Sequence, residues 1–438
     1  MGDWKSVDRR AFIVGGALLA SAPSMAAAGK IDCVVHAGTL IDGIGGPRSS
    51  ASILIARDRI VEIVAGHVTP PGARVVNLSS STVLPGFINC HIHLDTRPGS
   101  LNPVLDAVQA SELDALMQSA ANAREMLMRG FTSARVLGSV GEDAALKRGI
   151  ERGLAQGPRL WVALEQLGAT GSVADRSVGF DENLDNPHWR RRTIDSPEQA
   201  AWQVRDRKKR GADLVKIMVG GAVTSLSPDP VGMQLMSDAE IRAVVETAHS
   251  LGMKVAAHAY GGEAIAAAVR GGVASIEHGS FADDAALAAM RDRGVYLVPT
   301  LTILAISSET ARDRPEQLHP VIRDKIIAVG DIPARTVAKA HRMGVPIAFG
   351  SDAVLPDRQA EEFGHLVAAG LTPMQAIQAA TRNAADLLGA SDRVGTLQPG
   401  RFADLVAVQG DPIANIDLLR SVRFVMKGGV TVRNELNA

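Results

Sequence analysis

Apolar residues along this chain fall into two rhythms. In the stretch 31–84 they form short β-branched runs (31–35, 52–56 and 59–63) separated by Gly, Asp and Pro turns, a pattern that predicts strands. Leu84-Pro85-Gly86 breaks it. From about residue 86 to 388, short apolar runs alternate with helical segments, as parallel βα units require. The candidate strands are 86–91, 132–136, 160–164, 214–218, 255–258, 275–278, 296–300 and 347–350. Eight strands so spaced predict a closed parallel barrel. Ser196-Pro197-Glu198-Gln199, Ser237-Asp238-Ala239-Glu240 and Thr372-Pro373-Met374-Gln375 read as capping boxes that start helices. Arg129-Gly130 and Leu251-Gly252 end helices just before strands. Short strands return at 403–408 and 423–425. The expected fold class is α/β: a (β/α)8 TIM barrel over 85–393, with a small β-sandwich domain built from 31–84 and 394–438.

The first 28 residues stand apart. Arg9-Arg10 precede an apolar run at 11–22, and Ser24-Met25-Ala26 and Ala26-Ala27-Ala28 offer small-residue cleavage sites. This reads as a signal peptide of the twin-arginine type, so a periplasmic or secreted protein is expected. The run is shorter than the roughly 20 residues a bilayer span needs, so no membrane association is expected after its removal.

Composition narrows the function. Of the 438 residues, 46% are hydrophobic and 21% charged, and the net charge is −1. Without a basic stripe there is no electrostatic footprint for nucleic acid. Two cysteines, Cys33 and Cys90, are too few for a disulfide framework.

Candidate chemistry gathers at the ends of the predicted barrel strands, where barrel enzymes place their catalytic groups. In His91-Ile92-His93 the histidines are two apart on a strand, so both imidazoles face one side. Lys216 interrupts an apolar strand in Asp213-Leu-Val-Lys-Ile-Met-Val219. A buried ammonium is costly unless paired or neutralised. Either the Lys216 amine reaches the surface or pairs with Asp213, or the neutral amine has captured carbon dioxide as a carbamate able to bridge two cations. His258 and His278 each end a strand, one βα unit apart, and Asp352 follows the strand at 347–350. Imidazoles and carboxylates suit zinc, with manganese, cobalt or iron open by ligand type.

The chain resembles the amidohydrolase superfamily, in the branch of imidazolonepropionase-like prolidases (Xaa-Pro dipeptidases) and ochratoxin-hydrolysing amidohydrolases. The resemblance runs from about residue 31 to 435. It is carried by Leu84-Pro-Gly-Phe-Ile-Asn-Cys-His-Ile-His93, Leu214-Val-Lys-Ile-Met218 with Gly220-Gly221, His258-Ala-Tyr-Gly261, Ile276-Glu-His-Gly279, Gly350-Ser-Asp352, Thr381-Arg-Asn-Ala-Ala385 and Gly395-Thr-Leu-Gln-Pro-Gly-Arg-Phe-Ala-Asp404. It implies two divalent metal ions, zinc first. His91, His93 and Asp352 would hold the more buried ion, His258 and His278 the more exposed one, and N6-carboxylated Lys216 would bridge them. It also implies a metal-bridging hydroxide as nucleophile, with Asp352 as the catalytic proton carrier. Tyr260 would contact the substrate carboxylate. A small-molecule amide substrate and a homo-oligomer, an octamer in some relatives, are further implications.

Two departures bear on the substrate. Val136 stands where related sequences usually carry Asp, and Val173 where they usually carry a substrate-binding His. The leading expectation is hydrolysis of the amide bond of a dipeptide or N-acyl amino acid. The alternative is a xenobiotic aryl amide, carbamate or urea, ochratoxin-like compounds included. A deaminase would need a Glu shortly after His258, where Ala259-Tyr260-Gly261 stands. A non-catalytic scaffold of the same fold would have lost ligands, whereas all six candidates are present.

Overall fold

Strands form where β-branched residues alternate with polar ones or fill a buried run. The computed structural model describes residues 30–97, 111–181, 183, 189, 192–227, 229–353 and 355–436; the expected signal peptide lies outside them. β1 (Cys33–Leu40), β2 (Arg48–Ala56), β3 (Arg59–Ala65) and β4 (Arg74–Pro85) come from the amino-terminal stretch. β4 is 12 residues long and its last five are all buried, so it runs from the surface into the body of the protein. Gly86 then turns the chain into the barrel. A Cβ there would overlap the Thr132 side chain, which is why the turn needs glycine.

The barrel strands follow: β5 (Phe87–Ile92), β6 (Phe131–Val136), β7 (Arg159–Val162), the two-residue β8 (Leu167–Gly168), β9 (Leu214–Met218), β10 (Lys254–Gly261), β11 (Ser275–Phe281) and β12 (Tyr296–Val298). β5, β6 and β7 pair in parallel, as do β8 to β12 in order. The amide of Asp213 donates to the Val162 carbonyl at 2.8 Å, joining the two sheets. β7 and the short β8 follow one another along β9 and count as one position of the ring; the eighth position is taken by residues 346–352, with a single bridge between Ile347 and Leu297. This segment bonds β12 on one side (Leu297 N to Pro346 O, 2.9 Å) and β5 on the other (Cys90 N to Phe349 O, 2.8 Å). The barrel is thus closed, by a segment with less ladder than the expected strand 347–350.

Helices surround it, and their starts follow the chemistry of orphan amides. Ser237 and Thr372 open full capping boxes. Ser196 accepts from the Gln199 amide, but Gln199 Oε1 takes the Asp195 amide instead, so that box is not reciprocal.

β13 (Leu405–Gln409), β14 (Phe424–Lys427) and β15 (Val430–Asn434) complete the terminal sheet. Its order is β15-β14-β13-β4-β1-β2-β3, antiparallel except for the β1–β4 pair. The sheet curls. Ile60 N donates to Arg401 O at 2.9 Å and Ala403 N to Asp58 O at 2.8 Å, so Ile53, Ile55 and Ile60 share one core with Leu405, Ala407, Phe424 and Met426. The expected sandwich is therefore the two ends of one curled sheet. Sheet and barrel belong to one compact unit, residues 31–438. Among the described residues, no helix is long and apolar enough to cross a membrane.

Candidate metal centre and active site

The carboxyl ends of the barrel strands converge on one group of side chains. β5 delivers His91, and His93 follows directly after its end, their rings 5.6 Å apart. Asp352 Oδ1 lies 3.4 Å from Nε2 of His93 and 3.7 Å from Nε2 of His91. Each of the three offers a donor atom within 4.8 Å of the others. His258 on β10 and His278 on β11 have ring centroids 4.6 Å apart, and His278 lies 5.2 Å from His91. All of these line one cavity of about 310 Å³ together with Lys216 and Tyr260.

Lys216 is the oddity among them. Every residue of β9 is buried, and the Lys216 Nζ has no hydrogen-bond partner. Asp213 does not serve it, because both Asp213 carboxylate oxygens are held by Lys147 at 2.6 and 2.8 Å. An unpaired buried ammonium costs several kcal/mol or gives up its proton. Burial pulls the Lys216 amine down to about 8. A neutral amine is the form that can take up carbon dioxide.

The histidines are arranged as donors. Burial is the first cause, and the Lys216 or histidine charges the next, in holding His91 and His278 well below the ordinary range and His258 at about 3. Neutral imidazoles keep a lone pair for a metal. Three of the rings are fixed through Nδ1: His91 to Glu277 Oε2 at 2.8 Å, His93 to the Gly138 carbonyl at 2.9 Å and His278 to Thr300 Oγ1 at 2.7 Å. A carbonyl and a carboxylate accept only, so His91 and His93 carry their proton on Nδ1 and leave Nε2 free. Such partners are what orient metal-ligating histidines. Together with the orphaned Lys216 amine, this donor set fits a pair of divalent cations. Burial also raises the Asp352 carboxyl.

The backbone is bent to the same end. Leu164, His278, Thr300 and Asp352 all have positive φ (61°, 70°, 52° and 51°), conformations costly for residues other than glycine that cluster at functional sites. In β11 this turn at His278 lets two successive residues, Glu277 and His278, both serve the histidine cluster.

Glu277 and Arg135 are the residues sequence reasoning passed over. Glu277 is fully buried and joins His91 to the Arg135 guanidinium, whose Nη2 donates to its Oε1 at 2.8 Å. Arg135 Nε donates in turn to the Cys90 carbonyl at 2.6 Å. Of the two departures, Val136 is fully buried in the main hydrophobic core and is not on the cavity wall, whereas Val173 is. Tyr260 lies on that wall with its ring stacked on His278 at 4.8 Å.

Comparison with known proteins agrees with this geometry. Residues 82–432 match the amidohydrolase family model. Over 417 residues the chain is 28% identical to the ochratoxinase of Aspergillus niger, covering 90% of this chain and 85% of that protein. It is 26% identical to an imidazolonepropionase of Symbiobacterium thermophilum, covering 85% and 89%. The crystal structure of a Xaa-Pro dipeptidase with bound methionine in the active site superposes with a TM-score of 0.86, at 33% identity over 92% of this chain and 100% of that one. The chain belongs to the amidohydrolase family, in the branch of the ochratoxinases and prolidases, and is a hydrolase of amide bonds.

Proposed function

We propose that the protein is a binuclear metal-dependent amidohydrolase whose substrate is a dipeptide or an N-acyl amino acid. The observation that carries this reading is the Lys216 amine, buried and unpartnered, in a cavity with four histidines and Asp352. His91, His93 and Asp352 would hold one ion and His258 and His278 the other. Lys216 would bridge them after its neutral amine attacks carbon dioxide, forming the C–N bond of a carbamate and releasing a proton. Bound there, two divalent ions, zinc first, would polarise the scissile carbonyl and supply a deprotonated water at neutral pH. Asp352, partly open to the cavity and raised in pKa by burial, would accept that water's proton and pass it to the leaving nitrogen. Tyr260 would meet the substrate from the same wall. Export through Arg9-Arg10 and the apolar run at 11–22 belongs to the same proposal.

The test is turnover by zinc-loaded protein of dipeptides, N-acyl amino acids, aryl carbamates and aryl ureas, with Asp352→Asn as the control. Hydrolysis of the carboxylate-bearing amides, lost in the variant at unchanged metal content, supports the reading. Turnover only of compounds without a carboxylate overturns it in favour of the carbamate and urea class, for which Val173 on the cavity wall is the observation in hand.

A further inference from the structure

The cavity holding the histidines adjoins a second hollow of about 100 Å³, and the two share Val173, Arg176 and Thr224 in their walls. The rest of the second wall includes Val178, Phe180, Trp189 and Leu226. Phe180 and Trp189 stack there, with ring centroids 5.3 Å apart and planes inclined by 30°. An ionic residue thus stands at the border between a polar catalytic chamber and an aromatic one.

Arg176 is held by its loop and left free at its head. The loop is a series of tight turns, with Ser172 N bonded to Ala169 O and Asp175 N to Ser172 O, both at 3.0 Å. The adjacent acid, Asp175, spends its carboxylate on the loop itself: it accepts from the Gly171 amide at 3.0 Å, and from the Ser177 amide and hydroxyl at 3.0 and 2.6 Å. Among the described residues, Arg176 makes no hydrogen bond and no ion pair, although Asp95 lies on the same cavity wall. A second cation stands close by. Arg192 is buried, its Nη2 donates to the Ser139 carbonyl at 2.8 Å, and its Nε and Nη1 have no partner. Burial first and then the Arg176 charge hold the Arg192 guanidinium down at about 9, against the pull of Glu165 and Asp95. An arginine with an open fork beside another arginine is a receptor for a planar anion.

We propose that Arg176 is the carboxylate anchor of this site, and that the Phe180–Trp189 hollow takes the side chain of the same substrate residue. The substrate is then an amide whose amine half is an α-amino acid with a bulky apolar side chain. In such a molecule the amide nitrogen, the carboxylate and the side chain all branch from one carbon. Three receptors that share walls match that branching: the histidine and aspartate cluster, Arg176 and the aromatic hollow. Water adds to the amide carbonyl, the C–N bond breaks and the nitrogen takes a proton, releasing a carboxylic acid and a free amino acid. The inference rests on the amide-hydrolase reading above and adds the residue that selects the substrate.

The experiment compares N-acetyl-phenylalanine, N-acetyl-alanine and N-acetyl-phenethylamine, which lacks the carboxylate, on the zinc-loaded full-length protein. Wild type should prefer the first over both others. Arg176→Met should lower kcat/KM for the two acids by about 10–100-fold, the range of a charged hydrogen-bond pair, mainly through KM. It should leave N-acetyl-phenethylamine unchanged. Arg176→Lys should recover part of the loss. Leu226→Trp, which fills the hollow, should bring N-acetyl-phenylalanine down to the level of N-acetyl-alanine while the alanine compound keeps its rate. Wild-type turnover with no preference for the acids, or equal losses on all three compounds in Arg176→Met at unchanged zinc content, overturns the anchor alone. No turnover of any of the three by wild type overturns the anchor's substrate; the amide-hydrolase reading falls with it only if the dipeptides fail as well.

Discussion

Nδ1 of His91 lies 2.8 Å from Oε2 of Glu277, and both residues are buried. The same carboxylate holds Arg135 through its other oxygen. A metal-facing imidazole, an acid and a guanidinium are thereby locked into one line across the barrel interior. Glu277→Gln keeps the volume but offers Arg135 no charge and His91 a weaker acceptor. Metal affinity should fall about 10–100-fold, the usual effect of losing such an orienting partner. Zinc titration with a competing chelator measures it, and wild-type affinity in the variant would dismiss the orienting role of Glu277.

Lys216 leads to an expectation that runs against intuition. Its amine is buried without a partner, so in metal-free protein it opposes folding. Lys216→Met should raise the stability of the chelator-treated protein by about 1–3 kcal/mol, the desolvation cost of an unsatisfied buried group. The same change should abolish turnover in zinc-loaded protein. Thermal melts of both proteins in chelator decide the first half; a lower midpoint in the variant would show that the amine is satisfied in solution.

Two carboxyls behind the cavity should make stability depend on pH. Burial, with help from Asp95, raises Glu142 to about 8, and burial raises Asp143 to about 7. In the unfolded chain both return to ordinary values near 4. Between roughly pH 4 and 8 the folded state therefore binds more protons than the unfolded one, so these groups make stability fall as pH rises through that window. Glu142→Gln should flatten the decline. Urea midpoints at pH 5.5 and pH 8.5 measure it; an identical slope in the variant would mean that Glu142 is ionised throughout.

Gly350 sits two residues before Asp352, against β5. A Cβ there would overlap Val298 and press on His91. Gly350→Ala should cost about 1–3 kcal/mol as overpacking and displace His91 from Asp352. A lower melting temperature together with weaker zinc binding is the expected pair of results. Lower stability with unchanged zinc affinity would separate the packing of this glycine from the metal centre.

Much of this was legible in the residues because barrel strands announce themselves as short apolar runs and their ends carry the chemistry. The reasoning that singled out Lys216, a charge inside a buried strand, applies equally to Arg135 in β6 and Glu277 in β11. They were overlooked because each stands beside a more conspicuous neighbour, Val136 at a departure and His278 at a candidate ligand. β4 was missed for a different reason. Its middle reads Asn77-Leu-Ser-Ser-Ser81, which has little strand character, and it is held by β1 and β13 on either side. Thr300 could not be read at all, since its contact with His278 depends on a backbone turn at φ 52°.

The segment 346–352 bonds to β12 and to β5 at once, and Asn89 meets Ser351 across 262 residues of sequence. This fixes the order of events during synthesis. The amino-terminal histidines emerge from the ribosome early but have no Asp352 beside them until the last barrel segment arrives. A chain that ends before residue 346 carries the four histidines and Lys216 but has neither a closed ring nor the Asp352 carboxylate. On the metal-dependent reading, the ligand set is complete only once the ring has closed, so firm capture of an ion would mark a finished barrel.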